Sequence, residues 1–433
     1  MNGNLLKAIG IITDVSKLYV PLFEDIKSRK FFVRLVYNTY SFFHPSFIST
    51  LMIACYGAKS FFSLKLEGNK NASILLTATV TNEIKHAKYF IKNVGEEKII
   101  IANSRIINLL SFRTIKLFFY CVINWKKVKQ FFLVIKYINN KHDFMPSCRT
   151  ASTIGFYIRF LYEIENNNLK AIAIVSDYSP DGLGLSYAAR TLDLKTIYMT
   201  HAFIHHNFSL KAQSFSLLFI QGKKSFDNYN SYKENVSDKV VFLGIDGKSV
   251  PMKFGKLKNK GNNIGVFLTA PLNTDDFRNN IQNILEALQP KKLIIRPHPG
   301  ELQSINMNSF IKGYDNIILS QGRTIDEDIR ECDLAIVGNS SAALEILKSG
   351  LPCVYYHGFE KSKYDYCGFI GNKLIPEIKN FQEISADKIR QWYDNSEWVD
   401  LFMEYDPLYK NPVVKGDIIR QEVEDLLKQV PDK

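Results

Sequence analysis

KKLIIRPHPG (residues 291–300) and ECDLAIVGNSSAALEILKSGLPCVYYHG (331–358) predict two strand–turn–helix units. In the first unit, an apolar run ends in RPHPG (296–300), where two prolines and a glycine stop the strand. In the second unit, the apolar run 334–337 ends in GNSS (338–341), and apolar residues at helical spacing follow. The two serines are therefore expected at or near the N-cap of a helix.

Both turns are predicted to lie at one edge of a parallel sheet, where α/β proteins bind their ligands. Arg296 and His298 place a cation and an imidazole there, and a helix N-terminus adds free N–H groups and the positive end of a dipole. We expect a phosphate to bind at this edge. Each turn also has a purely structural interpretation, as a rigid Pro-His-Pro turn or as the capping of a helix by Ser340 and Ser341. The prediction depends on the two turns occurring together in this order.

A serine hydrolase is excluded. The sequence GNSSA (338–342) is loosely similar to a nucleophile elbow, which requires an acid and then a histidine further along the chain. The only later histidine is His357, and the only acid before it is Glu345, five residues after Ser340 on the same predicted helix. The triad therefore cannot be completed.

The length and charge of the chain set its broad class. Its 433 residues are enough for two domains of about 200 residues each, and its hydrophobic content of 46% is ordinary for a globular protein. The net charge of +12 is uneven, because no acidic residue occurs between Glu97 and Asp143 while nine lysines and arginines do. Within this segment, residues 113–139 combine basic and aromatic side chains at helical spacing.

Two interpretations of the basic segment 113–139 stay open. It predicts either a core-facing helix with a solvated basic side or a surface helix that contacts anionic lipid, each basic residue adding about 1 kcal/mol. Nucleic acid is not expected as a partner, because no nucleic-acid-binding motif accompanies the charge. The six cysteines lack metal spacing, and neither a signal peptide nor an apolar stretch of membrane-spanning length is found. The sequence predicts a cytoplasmic protein, with a peripheral position on the inner membrane as the alternative.

Strands and helices alternate in two series, separated by the Gly-, Lys- and Asn-rich stretch 246–263. We therefore predict an N-terminal α/β domain (1–250, with a helical segment 1–70) and a C-terminal α/β domain (251–433) that ends in helices. The second series is predicted as strand 264–269, helix 275–288, strand 292–296, strand 315–319, helix 324–331, strand 333–337, helix 341–349 and strand 352–356.

Polar residues also follow the predicted strands of the first series. Asp177 and Asp181 come after strand 171–176, and helix capping is the expected role of Asp181. His201 and His205 follow strand 196–199 and are interpreted as facing a substrate, because no carboxylate lies near enough to complete a metal site. The D-x-D sequence at Asp326 is placed in the first turn of a helix, where pairing with the helix dipole explains it better than a metal does.

At the level of motifs, the chain resembles bacterial GT-B glycosyltransferases. RPHP (296–299) is similar to the HP motif of sialyltransferases, polysialyltransferases and capsule Kdo transferases, and GNSS (338–341) to the serine pair that follows it. SDY (176–178) and THA (200–202) resemble the N-terminal turns of those enzymes, with Ala202 where glycine is more usual. PDG (180–182) resembles their acid–acid–Gly motif, with proline in place of the first acid, so the base stays open between Asp181 and Asp177. The resemblance covers about residues 170–358.

This resemblance implies a fold of two Rossmann-like domains with a cleft between them, and a transferase of bacterial capsule or lipopolysaccharide biosynthesis. It implies transfer of an acidic ulosonic sugar from a CMP-sugar donor to a glycan or lipid-linked acceptor, without a metal or other cofactor. The implied site residues are catalytic Asp181, Asp177 and His298, donor-binding Arg296, His298, Gly300, Glu301, Asn339, Ser340, Ser341 and Glu345, and acceptor-binding His201 and His205.

The count of phosphate-binding groups favours the CMP donor. One imidazole, two hydroxyls and one helix N-terminus suit a single phosphate, whereas a diphosphate usually recruits a metal or more cations.

Three alternatives remain open. They are a CDP-glycerol-type glycerophosphotransferase, a UDP-sugar 2-epimerase, for which no convincing set of glutamates is found, and a non-catalytic carbohydrate-binding subunit of an assembly machine.

Overall fold

This computed structural model describes residues 31–430, apart from internal gaps. The gaps are 70, 79–80, 105–115, 117–118, 120–121, 124, 142, 178, 201–203, 205–213, 231–236, 270–271, 275, 299–312, 362–363 and 412. None of the helices in the described part combines the length and apolar character needed to cross a bilayer.

The first sheet has seven strands. They are β1 (Leu64–Gly68), β2 (Ile74–Thr77), β3 (Ile99–Ser104), β4 (Ala171–Ile174), β5 (Lys195–Met199), β6 (Leu217–Ile220) and β7 (Val240–Phe242). Their spatial order is β1-β3-β2-β4-β5-β6-β7, and all pairs are parallel except β1 with β3. Strands β2, β4 and β6 are buried along their whole length, because apolar cores cover both faces of the sheet.

Among the described residues, seven helices that precede the second sheet in the chain accompany this sheet. They are α1 (Phe31–Phe43), α2 (Phe47–Ser63), α3 (Thr81–Val94), α4 (Trp125–Lys141), α5 (Phe144–Glu165), α6 (Pro180–Thr191) and α7 (Lys223–Asn230). Helices α1, α2, α4 and α5 form a layer with its own small core around Tyr40, Ile53 and Ile135. Helices α2 and α5 cross closely, since a Cβ atom on Gly155 would lie 2.1 Å from the carbonyl oxygen of Gly57.

The N-terminal segment needs one correction. Residues 31–63 are helical as expected, but 64–68 form β1, an edge strand that the sequence analysis missed. The residues before 31 lie outside the described part. Of the basic segment 113–139, residues 125–139 belong to helix α4, and several residues before them are not described.

The second sheet has five parallel strands in the order β10-β9-β8-β11-β12. They are β8 (Asn263–Phe267), β9 (Lys292–Arg296), β10 (Ile317–Leu319), β11 (Leu334–Val337) and β12 (Cys353–Tyr355). The helices are α8 (Phe277–Leu288), α9 (Ile325–Glu331), α10 (Ala342–Lys348), α11 (Ala386–Tyr393), α12 (Ser396–Tyr405) and α13 (Lys415–Lys428). Two α/β units with parallel sheets and a cleft between them confirm the predicted GT-B plan.

The last helix does not belong to the second unit, contrary to the domain assignment of 251–433. Ile419, Val423 and Leu426 of α13 are buried in the core on one face of the first sheet, against α3. The apolar spacing of α13 predicts a buried face, but spacing alone does not say which of two sheets covers it. The chain therefore crosses back to the first unit.

The two units also contact each other beside this crossing. The Lys348 ammonium on α10 pairs with the Asp406 carboxylate at 2.7 Å, and both side chains are buried. The same ammonium donates to the carbonyl oxygen of Ile245 at 2.7 Å. Gly244 is required at this point, because its φ is +67° and a Cβ atom would lie 2.3 Å from Asp406 Oδ1. These contacts hold the edges of the two sheets around a shared cleft.

Candidate functional site in the cleft between the two sheets

A cavity of about 350 Å³ lies in the cleft and takes its walls from both units. The first sheet contributes the ends of β5 and β6, including Thr200 and Gln221, and helix α3 adds a side wall. The second unit contributes Ser341 and Glu345 from the start of α10. The cavity therefore lies where α/β proteins bind ligands, at the carboxyl ends of parallel strands.

Helix α3 turns a basic and aromatic face toward this cavity. The cavity-lining residues of α3 are Lys85, His86, Lys88, Tyr89 and Lys92. They fall on one side of α3, because residues three and four apart are neighbours on a helix surface. None of the ion pairs among the described residues involves the three lysines.

A fourth cation reaches the cavity from α13. The Lys415 ammonium lies 3.0 Å from the Asp246 carboxylate and donates to the carbonyl oxygen of Gly244 at 3.2 Å. Burial lowers the pKa of Lys415, and Asp246 opposes that shift. Lys415 is therefore paired, whereas the α3 lysines are not.

Two polar atoms in the cavity wall have no hydrogen-bond partner in the described part of the chain. They are Thr200 Oγ1, at the end of β5, and Gln221 Oε1, at the end of β6. Thr200 is only 6% exposed. Buried polar groups in proteins are nearly always hydrogen-bonded, so two orphans in one cavity indicate a place where a ligand binds.

The serine turn contributes to the opposite wall. Ser341 lines the cavity and occupies the N-cap of α10, yet its side chain makes no capping hydrogen bond. Ser340 Oγ accepts a hydrogen bond from the Ala342 N–H at 3.3 Å. Burial raises the pKa of Glu345, and the nearby Asp246 carboxylate adds to the rise. The expected donor-site residues Ser341 and Glu345 thus face the first sheet across one cavity.

Asn339 has a supporting role, which corrects its expected place in the donor-binding set. Its side-chain amide donates to Glu360 Oε2 at 2.8 Å and to the carbonyl oxygen of Tyr364 at 2.7 Å, and its oxygen accepts from the Tyr366 N–H at 2.7 Å. The Asn339 backbone N–H donates to Glu360 Oε1 at 2.5 Å. Both amide hydrogens are therefore used to hold the turn.

Glu360 approaches this turn very closely. A Cβ atom on Gly338 would lie 1.9 Å from Glu360 Oε1, so only glycine fits there. Burial raises the pKa of Glu360 to about 7, although its hydrogen bonds from Asn339 act in the opposite direction. Sequence reasoning missed Glu360, which lies 21 residues beyond Asn339 and has no local signal.

Arg296 is engaged within the protein. Its guanidinium Nη1 lies 2.7 Å from Asp328 Oδ2 and donates to Ser320 Oγ and to the carbonyl oxygen of Arg323, both at 3.2 Å. Asp328 is fully buried and also pairs with Arg323 at 2.8 Å. Arg296, which the resemblance places in the donor-binding set, therefore forms an ion pair within the second unit.

The D-x-D sequence lies in the first turn of α9, as predicted. Thr324 is the N-cap, and a capping box joins its side chain to the backbone N–H of Glu327 and the Glu327 side chain to the backbone N–H of Thr324. Among the described residues, no group of three histidines, cysteines or acids is arranged to hold a metal ion.

The two candidate bases lie together at the end of β4. Asp177 accepts hydrogen bonds from the Tyr198 hydroxyl at 3.1 Å and from the Tyr229 hydroxyl at 2.9 Å. Burial raises the pKa of Asp177 to about 6, and the two tyrosine hydrogen bonds oppose the rise. Asp181 accepts from the Thr77 hydroxyl at 2.6 Å. Neither aspartate is among the described residues that line the cavity.

Helix capping by Asp181 was wrongly expected. Ser179 is the N-cap of α6, and its Oγ accepts from the Gly182 N–H at 3.2 Å. Pro180 takes the first helical position, which suits its fixed φ and missing N–H, so the cap falls two residues before Asp181. The Asp181 carboxylate instead accepts the hydrogen bond from the Thr77 hydroxyl.

The remaining predicted site residues are only partly described. His298 is half-buried and is not among the described residues that line the cavity. Gly300, Glu301, His201 and His205 lie outside the described residues. Sequence reasoning also missed the basic face of α3, whose spacing is visible in the sequence but whose position beside β5 and β6 is not.

Comparisons with known proteins give similarity of structure only. Neither a scan against family models nor a search of curated proteins gives a match. Among solved structures, a co-structure of S. aureus MnaA with UDP is 11% identical, with 84% of this chain and 99% of that chain covered and a TM-score of 0.46. MurG of Acinetobacter baumannii is 12% identical (82% and 99% covered, TM-score 0.41). The glycosyltransferase SnogD of Streptomyces nogalater is 10% identical (82% and 100% covered, TM-score 0.45). Such values carry no conclusion about activity or substrate.

Proposed function

We propose that this protein is a glycosyltransferase of bacterial surface polysaccharide biosynthesis, acting on capsule or lipopolysaccharide. It transfers an acidic ulosonic sugar from a CMP-sugar to a glycan or lipid-linked acceptor, without a metal. The observation that carries the proposal is the cavity in the cleft, where Ser341 and Glu345 of one unit face Thr200 and Gln221 of the other. If one unit holds the donor and the other holds the acceptor, the two substrates meet in this cavity.

The reaction is assigned to named groups. A carboxylate removes the proton from an acceptor hydroxyl, whose oxygen bonds to the anomeric carbon while the bond from that carbon to the CMP phosphate breaks. Asp177, which follows β4 at the carboxyl edge of the first sheet, is one candidate for this base. Asp181 is the alternative. His298, Ser340 and Ser341 stabilise the charge that develops on the departing phosphate.

Nucleotide binding in the absence of metal tests this proposal. The full chain is titrated by calorimetry with CMP, CDP, UMP and UDP. We expect CMP to bind at least tenfold more tightly than the others, a difference of about 1.4 kcal/mol. Preference for CDP would replace the proposal by the glycerophosphotransferase alternative, and preference for UDP would exclude a CMP-activated acidic sugar. Binding of CMP without any transfer would favour the non-catalytic subunit.

We also propose that the helical layer contacts an anionic membrane from the cytoplasmic side. Large apolar side chains are exposed on it, among them Phe42 at 82% and Phe47 at 70%. Lys129 and Lys136 of α4 are exposed as well. Such a mixture of apolar and basic side chains suits the boundary between lipid headgroups and acyl chains. In vesicle sedimentation, F42S/F47S should reduce binding to anionic vesicles. Equal binding of the variant and the parent would contradict a membrane contact through this helical layer.

A further inference from the structure

The cleft holds more positive charge than the proposed donor phosphate explains. His298, Ser340 and Ser341 are assigned to that phosphate and belong to the second unit. The unpaired lysines of the cavity lie on α3 in the first unit, opposite the serine turn. Lys85, Lys88 and Lys92 are close enough along one helix face to meet a single ligand.

The cavity also offers groups suited to uncharged parts of a ligand. Gln221 Oε1 can only accept a hydrogen bond, and Thr200 Oγ1 can accept or donate one. Because both atoms lack partners among the described residues, the ligand must bring at least one hydroxyl or N–H donor to this wall. Tyr89 adds an aromatic face from α3. A charged group beside several hydroxyls is the chemistry of an acidic carbohydrate.

We infer that the first-unit wall of the cavity, formed by Lys85, Lys88 and Lys92 with Thr200 and Gln221, binds an acceptor that is itself an anionic carbohydrate. The inference rests on the proposed function, since it assigns the acceptor to the wall that faces the donor residues. The negative group is a carboxylate or a phosphate on the acceptor. Lys85 and Lys88 contact that group, and Thr200 and Gln221 contact hydroxyls of the sugar beside it.

Binding measurements on the full chain test the inference without requiring catalysis. The probes are an oligogalacturonate, a neutral maltooligosaccharide of the same length and inorganic pyrophosphate. We expect the oligogalacturonate or pyrophosphate to bind at least tenfold more tightly than the neutral sugar, with the affinity falling as salt rises. The tighter of the two anions identifies the negative group as carboxylate or phosphate. Equal binding of charged and neutral sugars, or binding of neither anion, would overturn the inference.

A charge-reversal variant locates the site. K85E/K88E should weaken binding of the preferred anion at least tenfold while leaving CMP affinity within about twofold. K256E/K260E is the matched control, because it changes the net charge equally at exposed lysines outside the cavity. Both variants must show the melting temperature of the parent. Equal losses in the two variants, or a parallel loss of CMP binding in K85E/K88E, would contradict an acceptor site on α3.

A second variant tests the hydroxyl contacts. Thr200→Val keeps the shape of a side chain that is only 6% exposed and removes its orphan hydroxyl. We expect at least a threefold loss of oligogalacturonate affinity, with pyrophosphate affinity unchanged because that anion has no sugar hydroxyls. An unchanged oligogalacturonate affinity would remove Thr200 from the site. Failure of the proposed function is distinguishable, since it appears as absent CMP binding while these anion measurements stand.

Discussion

The ligand-facing edges of the two sheets differ in how far their polar groups are already paired. At the edge of the second sheet, Arg296 is held by Asp328, and the Asn339 amide is held by Glu360, Tyr364 and Tyr366. At the edge of the first sheet, Thr200 Oγ1 and Gln221 Oε1 are unpaired within the described residues. Arg296 and Asn339 at the second edge are therefore held in place by the protein, whereas Thr200 Oγ1 and Gln221 Oε1 at the first edge have no protein partner among the described residues.

This difference separates two kinds of motif residue. In RPHP and GNSS, one polar side chain of each motif, Arg296 or Asn339, supports the turn. The side chains of the two motifs that are assigned to the donor phosphate are His298, Ser340 and Ser341. A catalytic group works best when its neighbours keep it in place, so the internally bonded residues serve the site indirectly.

The largest effect is expected at His298. His298→Ala should lower turnover by about 10²–10⁴-fold, because it removes a group positioned to stabilise charge on the leaving phosphate. The turn should survive, since Arg296 at its start is held by Asp328 through its own side chain. Turnover with a CMP-sugar and the melting temperature are measured together. Normal turnover, or lost turnover that only follows unfolding, would make the Pro-His-Pro turn purely structural.

The next effect concerns stability at the second edge. Asp328→Ala leaves Arg296 and Arg323 without their buried partner, and we expect a loss of about 3–5 kcal/mol in the free energy of unfolding. Lys85→Ala at the first edge should change it by less than about 0.5 kcal/mol, because that side chain is exposed and has no ion pair in the described part. Urea denaturation of both variants measures the contrast. Similar losses of unfolding free energy in the two variants would contradict the difference in pairing between the two edges.

A smaller, pH-dependent effect is expected at Glu360. Its folded pKa of about 7 exceeds its ordinary value of 4.5, so the folded state binds the proton more tightly than the unfolded state. The contribution of Glu360 to stability is therefore fully present below about pH 4.5 and is lost as the pH rises through about 7, by about 3 kcal/mol.

Comparison with Glu360→Gln isolates this contribution from other titrating groups. The difference in unfolding free energy between parent and variant should change between pH 4.5 and 7 in favour of the variant and then stay constant. Asp177→Asn is the matched variant at the first edge. There the difference in unfolding free energy should change between about pH 4 and 6, since the folded pKa of Asp177 is about 6 and its ordinary value is 3.8. A pH-independent difference for Glu360→Gln would contradict the raised pKa.

The sequence predicted the local parts of this architecture well. Strand β9 has the predicted bounds, because prolines stop it, and helix α9 ends at the predicted residue and begins one residue after the predicted start, where Thr324 is the N-cap. Strand β1 was missed because LKLEG is a short edge strand with only two apolar side chains. The burial of α13 against the first sheet was missed because its apolar face could pack against the core of either sheet, and both cores are far from it in the sequence.

The candidate site was predictable only in part, because the sequence does not show which distant residues come into contact. The turns at 296–298 and 338–341 were located from local signals, but Arg296 acquires its ion-pair partner from a residue 32 positions away. The basic face of α3 is more than a hundred residues from Thr200 in the chain, and only the order of the strands brings them together. Because pairing and exposure are tertiary properties, the sequence identifies the candidate edge but not which of its polar groups lack a partner.

The smallest effect is expected on removing divalent metal. Asp328, one acid of the D-x-D sequence, is fully buried and already neutralised by Arg296 and Arg323, so it is not available as a ligand. The charge on the departing phosphate is assigned to His298, Ser340 and Ser341, so the proposed reaction needs no metal there. We therefore expect EDTA to change turnover by less than about twofold. The histidines at 201 and 205 lie outside the described residues and provide the sharpest counter-test. Loss of activity in EDTA with recovery on adding Mg²⁺ or Mn²⁺ would contradict the prediction, and loss of that recovery in His205→Ala would place the metal at the first edge rather than the second.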